Sequence, residues 1–182
     1  MVEVESIGAL FETALAFDFQ PLPAGRRAVI VTNAGGPAAL ASDALSANGL
    51  VLDELGEKTR AVLRAALNPA AQVSNPVDIL GGAEPPDYAL CTSTLMKDEQ
   101  VDIVLPLLVP QALVSPAGVA QAVADASAGR EKTVLACVMG DISVDEARLV
   151  LHEHRIPMYA QPESAASMAG GCAWGRNPRA RC

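Results

Sequence analysis

Aromatic side chains make up only 3% of these 182 residues. Three Phe, two Tyr and one Trp, spread along the chain, cannot build the stacked-ring surface that grips single-stranded nucleic acid. Positive charge is scarce too. Lys and Arg total 13 against 21 Asp and Glu, a formal net charge of −8, and the three lysines (Lys58, Lys97, Lys132) are scattered. Such a chain repels phosphate backbones, so no nucleic-acid partner is expected. No apolar run approaches the ~20 residues that a membrane span requires. The acidic opening MVEVESIGAL also lacks the positive start of a secretory signal. A cytoplasmic protein without a membrane partner is the expectation. The four cysteines (Cys91, Cys137, Cys172, Cys182) form no CxxC pair and keep away from His152 and His154. That spacing argues against zinc, and no metal site is expected. Cys137 lies in an apolar run and reads as a small buried hydrophobe.

What the chain does have is a hydrophobic content of 51%, supplied mostly by Ala, Val and Leu. Small apolar residues suit close packing of helices on a sheet, and the length suffices for one domain with a substantial core. Ser6 is placed to cap a helix through Phe19, with Leu10, Ala14 and Phe17 on one face. QPLPAG (20–25) reads as a linker. RAVIVT (27–32) is a strand without alternation, as buried parallel sheets show. PAALASDALSAN (37–48) is a helix with Leu40, Ala41, Ala44 and Leu45 inward, Pro37 at its first position and Gly49 as its stop.

LVLDEL (50–55) is expected as the second strand, and EKTRAVLRAAL (57–67) as a helix. Residues 68–87 carry four prolines and two glycines and read as a long loop, a length usually either functional or disordered. A helix over 88–98 precedes the third strand, VDIVLPLLV (101–109). Pro106 is awkward there, since a central strand cannot spare an N–H donor without a bulge. Ser115 and Pro116 open a helix, KTVLACVM (132–139) is the fourth strand, and Ser143 with Glu146 forms a capping-box pattern before a helix reaching His154. IPMYA (156–160) is the fifth strand, and a last helix starts at Pro162.

Strands alternating with helices predict an α/β fold, a doubly wound five-stranded parallel sheet of flavodoxin-like order 2-1-3-4-5. The expected division is a helical lead-in and linker (1–25), the domain (26–169) and a disordered tail (170–182) that holds the only Trp and no acid.

In such folds ligands bind at the carboxyl edge of the sheet, where strands hand over to helices. Asn33-Ala34-Gly35-Gly36-Pro37 is the first such seam. Its glycines permit close approach, and the first amides of a helix favour an anion. Asn33, Ala34, Gly35, Gly36 and Ala38 are the candidate phosphate contacts. The string is neither GxGxxG nor a Walker loop, so the residues by themselves admit either an anion cradle or a tight turn. Three further loops fall at the same edge. They offer Asn75, Asp78 and Gly81, then Gln111, then Gly140 and Asp141, with turn and cap roles as the alternative. His152 and His154 sit near a helix end and read as solvated surface. No catalytic residue emerges.

In combination, VIVTNAGGPAALASDAL, NPVDILGGA, LLVPQAL, VMG and IPMYAQPESAA resemble the NDP-forming acyl-CoA synthetases over residues 3–168. These include ADP-forming acetyl-CoA synthetase and are relatives of succinyl-CoA synthetase. The resemblance is to the second flavodoxin-like domain of that family. It implies an acid–thiol ligase reaction that passes through an acyl phosphate and a phosphohistidine. It also implies partners: CoA-binding and phosphohistidine domains, and an ATP-grasp domain or subunit. ATP or ADP, CoA and Mg would serve the complete enzyme, with no cofactor bound by this domain alone. The family's histidine stands in a Ser-His-Thr-Gly string, which is missing here, so a chain inactive by itself is implied. In relatives two helix N-termini face the phosphohistidine, and the helix opening at Gly35-Gly36-Pro37 matches one of them. A stand-alone anion-binding or regulatory module is the alternative, and an isolated domain with uncovered apolar surface invites a homodimer.

Overall fold

A computed structural model describes residues 6–129, 131–140 and 144–175. The chain begins with helix α1 (Ile7–Phe19), then strand β1 (Ala28–Thr32) and helices α2 (Gly35–Ala47) and α3 (Glu57–Ala66). Two short strands follow, β2 (Gln72–Val73) and β3 (Val77–Asp78), then α4 (Pro85–Lys97), β4 (Ile103–Leu108) and α5 (Pro116–Ala126). The remainder is β5 (Thr133–Val134), β6 (Ala136–Val138), α6 (Asp145–Glu153), β7 (Met158–Tyr159) and α7 (Pro162–Gly175). Sheet order is β2-β3-β1-β4-β6-β7, with β5 also beside β4, and every pair is parallel except β2 with β3. This is the α/β, flavodoxin-like architecture that the alternation of elements implies.

The central strands are wholly buried. β1 and β4 pair from Ala28 opposite Ile103 to Thr32 opposite Leu107. Apolar side chains on the two faces of the sheet make two cores. Val29 and Val31 belong to the one under α3, α4, α5 and α6, and Ile30 to the one under α1, α2 and α7. Pro106 sits inside β4 without breaking it. The neighbouring strand splits into β5 and β6 around Leu135, whose amide still donates to the Val104 carbonyl (3.1 Å), so the ladder lapses beside the proline that has no N–H to give.

Several expected elements come out differently. The second strand, 50–55, shrinks to one parallel bridge between Val51 and Arg27. Its place along β1 passes to β3, which arises inside the expected loop 68–87 and pairs at Val31–Val77 and Thr32–Asp78. Asp53 and Glu54 suit a sheet interior poorly, whereas Val73 and Val77 are buried. Helix α2 starts at Gly35, so Pro37 is its third residue; Gly49, at φ 75°, does close it. Its buried residues are Ala38, Ala41 and Leu45, while Leu40 is exposed. On α1, Ser6 caps as expected by accepting from the Ala9 amide (3.1 Å), but Thr13 and Ala16 face inward and Leu10 and Ala14 outward.

Helix α7 continues through Gly175, into the segment expected as a tail. Glycines that read locally as helix breakers serve tertiary approach here. A Cβ on Gly170 would lie 2.8 Å from Asn48 Cβ, and one on Gly175 2.9 Å from the Phe17 ring. Cys172 is buried, and the Arg26 guanidinium sits 5.7 Å from the centre of the Trp174 ring. Ser143 and Asp141, and residues 176–182, lie outside the described residues.

Candidate functional site at the carboxyl edge

The edge takes its shape from how β1 ends. Thr32 is fully buried, and its Oγ1 accepts from the Ala34 amide (3.0 Å) and donates to the Ala34 carbonyl (3.1 Å). Asn33 is buried as well. Its Nδ2 donates to the Val109 carbonyl (2.8 Å) and its Oδ1 accepts from the Val109 amide (2.9 Å). The ladder between β1 and β4 ends at Thr32 and Leu107, so this side chain adds a rung beyond the last backbone one. Asn at a strand end bonds readily to nearby backbone, and here it ties two loops together.

These bonds decide which predicted contacts can meet a ligand. The Asn33 amide is spent on Val109, the Ala34 N–H on Thr32, and the Ala38 N–H on the Ala34 carbonyl (3.3 Å). Pro37 has no N–H. Gly35 and Gly36 are the first two residues of α2 and find no acceptor among the described residues, as helix geometry dictates. Both are exposed. A Cβ on Gly36 would have nothing within 4 Å, whereas one on Gly35 would lie 3.6 Å from Asp78 Oδ2. The opening therefore has a free side at Gly36 and a carboxylate wall at Gly35.

Asp78 ends β3 and folds the following loop through its Oδ1, which accepts from the Leu80 amide (2.9 Å). Leu80 takes φ 70° there. Gly81 follows, and a Cβ on it would approach the Asn33 carbonyl at 4.0 Å. Asn33, Gly35, Asp78 and Gly81 are thus neighbours. Asn75 is elsewhere, preceding a cis peptide bond to Pro76. Its side-chain amide bridges the Ala28 carbonyl (2.8 Å), the Asp53 carbonyl (3.1 Å) and the Ile30 amide (3.2 Å). It stands in for a strand between the Val51 bridge and β3. Gln111 lies in an exposed turn whose carbonyl accepts from the Val114 amide (3.1 Å). Its side chain makes no hydrogen bond to the seam among the described residues. Gly140, at φ 133°, follows β6 at the same edge.

Thr32, Val109 and Tyr88 build this edge without having been singled out in the sequence. The Tyr88 hydroxyl donates to the Leu107 carbonyl (3.1 Å), and burial pushes its pKa up, so the phenol stays protonated. The pair Thr32-Asn33 after a β-branched run was the available signal. Among the described residues no group of three or more His, Cys, Asp or Glu is arranged to hold a metal ion. No described helix is long and apolar enough to cross a membrane.

Comparison with known proteins adds the family. The model of the Ligase-CoA domain matches residues 28–180. The alpha subunit of acetate–CoA ligase [ADP-forming] II from Pyrococcus furiosus is 38% identical over 170 residues, covering 90% of this chain and 36% of that subunit. The 4-hydroxybutyrate–CoA ligase [ADP-forming] of Nitrosopumilus maritimus is 30% identical over 167 residues, covering 90% of this chain and 23% of the relative. Among solved structures, PH0766 from Pyrococcus horikoshii OT3 superposes with a TM-score of 0.88 at 37% identity, covering 93% of this chain and 40% of that one. The Ca. Korarchaeum cryptofilum acetyl-coenzyme A synthetase 1, in complex with phosphate and ADP, gives 0.87 at 31% identity, covering 95% and 38%. The chain thus spans well under half the length of each of these relatives. It belongs to the Ligase-CoA domain family, and what it resembles is one segment of the ADP-forming acetate–CoA ligases.

Proposed function

We propose that this chain is the phosphate-facing domain of an ADP-forming acyl-CoA synthetase. Its Gly35 and Gly36 amides would share the negative charge of a phosphoryl group carried on a histidine of another domain. Membership of the family supports this, and one observation carries it: two adjacent exposed amides without acceptors at the carboxyl edge, held there by buried side chains. A helix N-terminus offers about 0.3–2 kcal/mol to a nearby anion. That is a modest share of a phosphoryl-transfer barrier, in line with a site completed by a second helix from elsewhere.

Phosphoryl transfer is mostly positioning and charge stabilisation, so a domain can contribute without a nucleophile of its own. Binding of CoA, the phosphorylated histidine and the nucleotide with its Mg2+ would fall to CoA-binding and ATP-grasp partners. Relatives that share this domain are named for acetate and for 4-hydroxybutyrate, and the residues that choose the acyl group need not lie in it.

The test is a titration with inorganic phosphate followed by amide NMR. Gly35 and Gly36 should shift first and saturate weakly. Shifts elsewhere with these two unmoved would overturn the reading. Supplied with acetate, ATP, CoA and Mg2+, the chain alone should form no acetyl-CoA, and turnover by it would equally overturn the proposal.

A further inference from the structure

We propose that Asn33 is a positioning residue: it aims the Gly35 and Gly36 amides by locking the start of α2 to the β4–α5 loop. The inference rests on the reading that those amides face a phosphoryl group. It changes the part that the sequence gives Asn33, from contacting phosphate to orienting the groups that do.

The geometry is specific. Asn33 is only 4% exposed, and both ends of its amide are engaged by one residue, Val109. The next residue, Ala34, is gripped at its N–H and its carbonyl by Thr32 Oγ1. Two consecutive glycines then follow, and glycine has more backbone freedom than any other residue. No side chain packs against Gly36, where a Cβ would meet nothing within 4 Å, so its amide is oriented by the backbone alone: by helix α2 that follows and by the braced residues that precede it. The braces at Asn33 and Ala34 fix the direction in which that first turn leaves the sheet. The Val109 end of the brace is itself well anchored. Its carbonyl and amide follow β4, which lies in register with β1 along five residue pairs.

Side-chain chemistry limits what could replace Asn33. Only an amide offers a donor and an acceptor at this reach. Asp keeps the acceptor for the Val109 N–H but sets a carboxylate oxygen against the Val109 carbonyl. Ala removes both bonds and leaves the part-buried Val109 amide and carbonyl without these partners.

Asn75 provides a matched control. It too spends its side-chain amide on the backbone of β1, at Ala28 and Ile30, but away from the glycines. The experiment compares Asn33→Ala, Asn33→Asp and Asn75→Ala in the whole chain by three readouts: melting temperature, 15N order parameters of Gly35 and Gly36, and phosphate affinity at the Gly36 amide. All three variants should melt lower. Only the Asn33 variants should lower the glycine order parameters, from a rigid ~0.85 toward ~0.6, and weaken phosphate binding roughly tenfold, a ~1.4 kcal/mol effect. Asn33→Asp keeps one bond but adds a negative charge that weakens phosphate binding by itself, so its answer is read from the glycine order parameters, which should fall less than in Asn33→Ala and decide the matter if Asn33→Ala does not fold. Rigid glycines in an Asn33 variant, or unchanged phosphate affinity beside a lowered melting temperature, would overturn the inference. A wild-type chain that ignores phosphate would sink the functional reading alone, since the order parameters still report on positioning.

Discussion

The two edges of the sheet use polar groups in opposite ways. At the amino edge the polar groups of Asp102, Lys132 and Gln20 are engaged inside the molecule. Asp102, 3% exposed, accepts from the Arg27 backbone amide (2.9 Å), from Nε (2.8 Å) and from Nη2 (2.8 Å). Gly25 makes room, since a Cβ there would come within 2.5 Å of Asp102 Oδ2. Lys132 donates to the carbonyls of Leu95 and Asp98, and Gln20 donates to the Arg155 carbonyl (2.6 Å) and accepts from the Val134 amide (2.9 Å). At the carboxyl edge the side chains are equally engaged, through Asn33 and Thr32, yet two backbone donors are left over. One edge is closed, whereas the other is braced and leaves two donors without acceptors among the described residues.

The largest effect that separates the edges should come from Asp102→Ala. It removes three charge-assisted hydrogen bonds and takes away Arg27's counter-charge, leaving its guanidinium the Glu99 carbonyl (2.8 Å). Breaking a fully buried pair costs about 3–5 kcal/mol. Arg27 is 39% exposed and can turn to water, so about 2–3 kcal/mol is expected here. For a chain of this size that lowers the melting temperature by roughly 5–10 °C. Phosphate shifts at Gly36 should not change. A variant that melted like wild type, or lost phosphate binding, would break the division between the edges.

Acid should act through the same carboxylate. Hydrogen bonding to Arg27, reinforced by its charge, holds the Asp102 carboxyl below the ordinary value, against the opposing effect of burial. A depressed folded pKa gives stability that is full above the unfolded value, ~3.9, and is lost as pH falls toward the folded one. The stability gap between wild type and Asp102→Ala, measured by urea unfolding, should therefore hold from pH 7 to about 4 and narrow below it. A gap that stayed constant down to pH 2 would remove the carboxylate from the account.

The sequence carried the fold more clearly than the site, for physical reasons. The buried strand 28–32, the Ser115-Pro116 helix start and the Gly49 stop all follow from local rules, and the structure keeps them. What local rules could not supply was competition among partners. Val51 and Val77 both border β1, and only tertiary packing decides that Val77 forms the longer pairing. At the site the seam was visible because glycine next to a strand is a strong signal. The functions of its polar residues were not. Asn33 and Asn75 look alike as Asn in a loop, yet one locks the glycines and the other patches a strand edge. A hydrogen-bond partner 76 or 47 residues away leaves no trace in local sequence.

Asp78 offers the finest division between the two edges, because it puts a negative charge beside the proposed anion site. Its Oδ2 faces Gly35 while its Oδ1 holds the Leu80 amide. Asp78→Asn keeps an acceptor for Leu80 and deletes the charge, so the loop should survive. A carboxylate near a helix N-terminus adds about 0.3–1 kcal/mol to the helix, and that should be lost. Phosphate, freed from a like charge a few ångströms away, should gain about as much, or roughly two- to fivefold in affinity. The gain should shrink as salt rises, since both groups reach solvent. Phosphate titrations of wild type and variant at two ionic strengths would measure it. Equal affinities would mean that phosphate enters wholly from the Gly36 side, beyond reach of Asp78. Weaker binding by the variant would make Asp78 a brace for the cradle, and the carboxyl edge would then resemble the amino edge, with a carboxylate that supports the fold.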